Sequence, residues 1–202
     1  MKLYYSPGAC SLSPHIVAME AGLPMSLHKV DLRAKTMEGG GDYLAVNPKG
    51  YVPALEIQPG VVLTEGPAIV QYLADMAPQS GLAPKAGTLE RARLQEWLNF
   101  ISTELHKVIG SMFNPAQTAE WKAAMVALAE RRLGWLDGQL AGKAFLMGDT
   151  FTAADAYLFT VLNWTKMVGI DATRWSNVAA YMGRVGARPK VQEALKAEGL
   201  MK

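Results

Sequence analysis

The sequence predicts two domains of different class, a mixed α/β domain followed by an all-helical one. Three observations predict it. The apolar runs of residues 1–77 are short and densely punctuated, whereas those after residue 88 recur at helical spacing over several turns. Between them, Pro78-Gln79-Ser80-Gly81-Leu82-Ala83-Pro84-Lys85-Ala86-Gly87 places two prolines and two glycines within ten residues. The expected organisation is therefore a first domain over 1–77, a linker over 78–87 and a second domain over 88–202.

Leu3, Tyr4 and Tyr5 read as a strand that stops at Ser6-Pro7-Gly8. A helix carrying Ile16, Val17, Met19 and Glu20 follows, with Pro14 tolerated in its first turn and Gly22 ending it. Ser26 to Leu32 alternates as a strand does, and Arg33 to Gly50 is a polar, Gly-rich loop with one short helix near Tyr43 to Val46, ending at Asn47-Pro48-Lys49-Gly50. Ala54 to Ile57 and Val61 to Leu63 flank Gln58-Pro59-Gly60 as an antiparallel hairpin. From Glu65 the period changes: Ile69, Val70, Leu73 and Met76 lie on one helical face, with Pro67 in the first turn. The order is β-α-β-α-β-β-α, with four strands.

In the second half Thr88 is an N-cap, and Leu94, Trp97, Leu98, Ile101, Leu105, Val108, Ile109 and Met112 trace one apolar face of a long helix. Further helices are expected near 117–140, 152–167, 175–185 and 190–197. Thr152 and Asp155, three residues apart, nearly match a capping box before Tyr157-Leu158-Phe159.

Composition narrows the function. Half of the residues are hydrophobic and 19% are charged, which suits a buried core, and 20 basic against 18 acidic residues leave a scattered net charge of +2 that indicates no nucleic-acid partner. The N-terminus reaches Pro7 and Gly8 before a signal-peptide run develops, and no stretch of about 18 apolar residues is unbroken, so a cytoplasmic protein with no membrane span is expected. One cysteine makes no internal disulfide and no dithiol pair, and the three histidines show no metal-ligand spacing.

Three short segments carry residues suited to chemistry. Cys10 stands where the first strand hands over to the first helix, whose amides and dipole favour a thiolate; it reads either as a reactive sulfur or as a small buried hydrophobe, and position does not decide. The Val52-Pro53 bond is either an ordinary trans turn or a cis peptide that turns the Val52 N–H and C=O outward to a peptide-like ligand. Thr64-Glu65-Gly66-Pro67 opens a helix, either as plain capping or as an anion site with Glu65 ready for an ammonium group.

Taken in order, SPGAC, GYVPAL and LTEGPAIVQYL resemble the glutathione transferases, specifically the bacterial beta class with Cys at the end of the first β-α turn. The likeness spans the chain, including LQEWLNFISTELHK and GDTFTAADAYLF. It implies a thioredoxin-like N-terminal domain with a mixed four-stranded sheet, an all-helical C-terminal domain, a homodimer, and glutathione as co-substrate with no tightly bound cofactor. The implied activity is conjugation of glutathione to small apolar electrophiles. The alternatives are thiol-disulfide exchange or reductive dehalogenation through a Cys10 mixed disulfide, and a non-catalytic protein that binds apolar ligands.

Carried over by position, the resemblance places Cys10 and His106 at the glutathione sulfur as the catalytic pair. Val52 and Pro53 meet the cysteinyl backbone, Glu65 and Gly66 the γ-glutamyl end, and Lys35 the glycyl carboxylate. Asn99 joins the glutathione set, and Glu104 is expected to reach the partner subunit's glutathione. Ala9, Met112, Phe113 and Trp164 are expected to wall the second-substrate site. Gly66 departs from the family pattern, since many members carry Ser there. Tyr5 is read as core, not as an activating tyrosine. Asn99, Thr103, His106 and Gly110 form a polar stripe on the long helix at α-helical spacing.

Overall fold

The computed structural model describes residues 1–201. The chain separates into two compact units, one formed by 1–83 together with the segment from Arg188 onward, the other by 84–187. The first unit contains β1 (Lys2–Tyr5), α1 (Leu12–Glu20), β2 (Ser26–Asp31), β3 (Thr36–Met37), β4 (Ala54–Gln58), β5 (Val61–Thr64) and α2 (Gly66–Met76). The second contains α3 (Leu89–Phe100), α4 (Lys107–Ser111), α5 (Ala119–Leu140), α6 (Ala153–Leu162) and α7 (Ser176–Gly186). The last helix, α8 (Pro189–Ala197), belongs to the first unit.

The sheet order is β3-β2-β1-β4-β5, with β1 and β2 parallel and the other pairs antiparallel. Register explains the alternation: Tyr4 faces Ala54 while Leu3 faces Leu55. Tyr4 and Ala54 join Val30, Tyr43 and Val52 in a buried cluster, and Ala9 packs against it. Leu3 and Leu55, of opposite pleat, are fully buried, as are Ile16 of α1 and Ile69 and Leu73 of α2, and these two helices pack on each other. Pro14 is the third residue of α1, where its missing N–H costs no intrahelical bond.

Two features differ from the expectation. The four strands gain a fifth, the two-residue β3, which pairs with Val30 and Asp31 at the sheet edge after Asp31 Oδ1 has turned the chain by accepting from the Arg33 and Ala34 N–H groups. The C-terminal helix, expected in the helical domain, joins the first unit. Glu198 at its end is buried; one carboxylate oxygen bonds His15 Nδ1 of α1 at 2.9 Å, the other accepts from the Gly8 N–H at 2.9 Å, and Arg188 pairs with Glu20.

In the second unit Thr88 caps α3 by accepting from the Arg91 N–H, and Thr118 caps α5 the same way from Trp121. Asp155, fully buried at the start of α6, accepts from the N–H and hydroxyl of Thr152, both at 2.8 Å, from the Leu146 N–H at 2.9 Å and from the Tyr181 hydroxyl at 3.1 Å. Burial pushes its carboxyl above the usual carboxylate range, while those donors pull it down. The long helix is not uniform: α3 runs into a π-helical segment, Ile101–His106, before α4.

Candidate active site

In the first unit, the turn between β1 and α1 carries Cys10 just ahead of the helix, and Ser11 stitches that turn by accepting from the Ser6 N–H at 3.1 Å. The Cys10 thiol, partly exposed, donates to the Val52 carbonyl at 3.0 Å. The Val52-Pro53 peptide is cis, the alternative the sequence left open.

Glu65 precedes α2 with φ +69° and ψ 114°, a backbone conformation that L-residues rarely adopt. Its carboxylate makes no capping bond to the helix. Instead Lys49 Nζ donates to Glu65 Oε1 at 2.6 Å and to Thr64 Oγ1 at 3.0 Å, and the carboxylate raises the lysine's pKa. An ammonium group thus already occupies this carboxylate. Gly66 opens α2 and Pro67, which lacks an N–H, follows it. A Cβ built on Gly66 meets only Pro53 Cγ at 3.9 Å, an ordinary contact, so a side chain fits here.

Lys35 has φ +59°, and its ammonium donates to the Gly50 carbonyl at 2.7 Å, tying the loop after β2 to the turn before Val52. Ala9 packs against the apolar cluster that contains Val52. Tyr5 is buried, as expected of core, and burial is the main cause that raises its phenol's pKa.

In the second unit His106 closes the π segment, and its Nδ1 meets the Tyr157 hydroxyl at 2.6 Å, while its ring stands edge-on to Trp164 with centroids 4.8 Å apart. A Cβ on Gly110 would come within 3.3 Å of the imidazole, so the absent side chain leaves room for the ring. Met112 and Phe113 line a cavity of about 260 Å³ with Val126, Met167, Val168 and the stem of Lys122, and Trp164 packs edge-on against Phe113. Met112, Phe113 and Trp164 are therefore neighbours in the second unit.

The polar stripe is not gathered. A π turn hydrogen-bonds i to i+5 and so takes in an extra residue, which turns later side chains to another face. Asn99 and Thr103 stay exposed while His106 turns against Tyr157 and Trp164. Glu104 pairs with Arg132 of its own chain, both side chains about 40% exposed. Tyr157 was missed as a partner of His106, as were two buried donors behind Val52, Tyr43 and Asn47. Among the described residues no cluster of potential ligands could hold a metal ion.

A family model described as the glutathione S-transferase N-terminal domain matches residues 8–76, and one described as the C-terminal domain matches 119–184. The chain is 47% identical over 200 residues to glutathione S-transferase GstA of Escherichia coli O157:H7, covering 99% of this chain and 100% of that one. The chain belongs to the glutathione S-transferase family. Among solved structures, the ternary complex of BphK, a bacterial GST, superposes with TM-score 0.97 at 56% identity over 99% of this chain and 100% of that chain. The bacterial beta-class glutathione S-transferase of Sphingomonas chungbukensis superposes with TM-score 0.96 at 48% identity, covering all of both chains. The family's thioredoxin-like domain with its mixed sheet and its helical domain are those described above, and the beta-class likeness agrees with the motif around Cys10. No helix among the described residues is long and apolar enough to cross a membrane.

Proposed function

We propose that this glutathione S-transferase conjugates reduced glutathione to small apolar electrophiles. The observation that carries the reading is Glu65: held in a rare backbone conformation, it leaves the helix uncapped and engages an ammonium group instead. Full-length identity to a protein named as a glutathione S-transferase supports the same reading.

In this reading Glu65 takes the γ-glutamyl ammonium, with Lys49 displaced or sharing the carboxylate, and the Gly66 N–H meets the γ-glutamyl carboxylate. Val52 and Pro53 pair with the cysteinyl backbone, and Lys35 exchanges the Gly50 carbonyl for the glycyl carboxylate. The glutathione thiol gives up its proton, its sulfur bonds to the electrophilic carbon, and a thioether forms as the leaving group departs. Cys10 donates its S–H to the nascent thiolate, as it now does to the Val52 carbonyl, and so stabilises the anion without being consumed. His106 is assigned to the thiol proton, with Tyr157 orienting the imidazole through Nδ1. Met112, Phe113 and Trp164 accept the electrophile, since a flexible thioether and broad rings suit varied apolar shapes.

A second reading is favoured by Cys10 being an unbridged cysteine in a partly exposed position. Its thiolate attacks the glutathione sulfur of a disulfide between glutathione and another thiol, expels that thiol as its thiolate and forms a Cys10 mixed disulfide that a second glutathione resolves to glutathione disulfide. Reductive dehalogenation uses the same sulfur: glutathione displaces halide to form a thioether, the Cys10 thiolate attacks the glutathione sulfur and expels the carbanion, which takes a proton, and a second glutathione resolves the mixed disulfide to glutathione disulfide. We further propose a cytoplasmic homodimer, in which Glu104 leaves Arg132 to meet the partner subunit's glutathione and Asn99 joins it.

The test is incubation with reduced glutathione and a panel of apolar electrophiles, with products read by mass spectrometry. Thioethers formed faster than in enzyme-free controls are expected. A protein that yields none, yet is recovered carrying a glutathionylated Cys10, would replace conjugation with exchange.

A further inference from the structure

The peptide group that joins Tyr51 to Val52 is held from behind. Its carbonyl oxygen accepts two hydrogen bonds from buried side chains, Asn47 Nδ2 at 2.7 Å and the Tyr43 hydroxyl at 3.0 Å. Tyr43 is fully buried and Asn47 is 2% exposed, so each polar group has been taken out of water to serve this one oxygen. The phenol of Tyr43, pushed up to about 12 mainly by burial, stays an O–H donor throughout the neutral range. The N–H of the same peptide belongs to Val52, and among the described residues it donates to no protein acceptor.

A turn needs only one donor to fix a carbonyl. Asn47 already shapes this turn in two other ways, its Oδ1 accepting from the Lys49 N–H at 3.2 Å and its backbone carbonyl from the Gly50 N–H at 2.8 Å. Two donors on one peptide oxygen draw electron density toward it and make the N–H at the other end a stronger donor, because hydrogen bonds in a chain polarise one another. They also fix the peptide plane, so the N–H direction is set before any ligand arrives.

We infer that Tyr43 and Asn47 are positioning residues for glutathione, orienting and polarising the Val52 N–H that donates to the cysteinyl carbonyl of the tripeptide. This rests on the proposed pairing of Val52 with glutathione. Neither side chain touches the ligand; both act through the Tyr51–Val52 peptide. The effect is specific to glutathione and leaves the electrophile site alone.

The test uses the full chain, isotopically labelled, as wild type, Tyr43→Phe, Asn47→Ala and the double variant. Tyr43→Phe deletes only a hydroxyl and keeps the buried ring, so it decides the matter if Asn47→Ala does not fold. In the wild type, glutathione should shift the Val52 amide proton. Tyr43→Phe should move the Tyr51 carbonyl carbon signal and raise the glutathione Kd about two- to fivefold, the double variant about tenfold, by weakening one strengthened donor. KM for glutathione should rise in proportion, with kcat and the electrophile KM unchanged. Variants that keep the wild-type Kd while Val52 still responds to glutathione would overturn the positioning role and spare the Val52 assignment. Variants that lose kcat and both KM values together would show a merely structural role. A wild-type Val52 amide that ignores bound glutathione would overturn the Val52 assignment, and this inference with it.

Discussion

Replacing Glu65 by glycine and, separately, by alanine divides two properties that the residue combines. Both substitutions delete the carboxylate and its Lys49 pair, whose side chains are 63% and 45% exposed, so the loss from that pair is alike in both and under about 1 kcal/mol. They differ at the backbone. Alanine must still hold φ +69° with ψ 114°, a conformation that costs a residue with a Cβ on the order of 1–3 kcal/mol, whereas glycine, with no Cβ, holds it at lower cost. Glycine gives back about 0.5–1 kcal/mol through the extra freedom of its unfolded chain. The glycine variant should therefore be the more stable of the two by about 1 kcal/mol. Urea denaturation with matched slopes measures that difference. Both variants should bind glutathione more weakly by about 1.5–3 kcal/mol, or roughly 10- to 150-fold, the scale of a hydrogen bond between charged groups; calorimetry reads it. An alanine variant as stable as the glycine one would refute the strain, and unchanged affinity in either would refute the ammonium role.

Gly66→Ser should fold normally, because its Cβ meets only Pro53 Cγ at an ordinary 3.9 Å, and its new hydroxyl should tighten glutathione binding by about 0.5–1.5 kcal/mol in the same titration. Phe113→Ala should raise KM for bulky apolar electrophiles about tenfold by opening one wall of the 260 Å³ cavity, with KM for glutathione unmoved in steady-state assays. Asp155→Ala should destabilise the chain by about 2–4 kcal/mol in denaturant titration, since it strands the Leu146 and Thr152 N–H groups and the Thr152 and Tyr181 hydroxyls.

Local signals made much of the first unit legible. Pro-Gly at 59–60 marked the β4–β5 hairpin, Pro67 marked the start of α2, and period 2 against period 3.6 separated strands from helices. What escaped was set by partners distant in sequence. β3 is two residues long and exists only through Val30 and Asp31, while α8 joins the first unit through Glu198, His15 and Gly8, separated by more than 180 residues. The π segment carries no compositional mark, so α-helical spacing misaligned His106 with Asn99. At the candidate site Cys10 and Glu65 stood out as a thiol and a carboxylate at helix starts, and Val52 as the residue before a proline ahead of a strand. Asn47 did not: an Asn before Pro reads as an ordinary turn residue, and only the fold brings its amide, with the Tyr43 hydroxyl, onto the Tyr51 carbonyl.

The central claim is that glutathione brings the nucleophile and Cys10 only stabilises it. Thioether formation by Cys10→Ala at saturating glutathione tests this most directly. Conjugation should persist, slowed by about tenfold or less for the loss of one S–H donor to the anion, while exchange with a disulfide between glutathione and another thiol disappears. Loss of both reactions to the same extent would contradict the account and make Cys10 the covalent nucleophile.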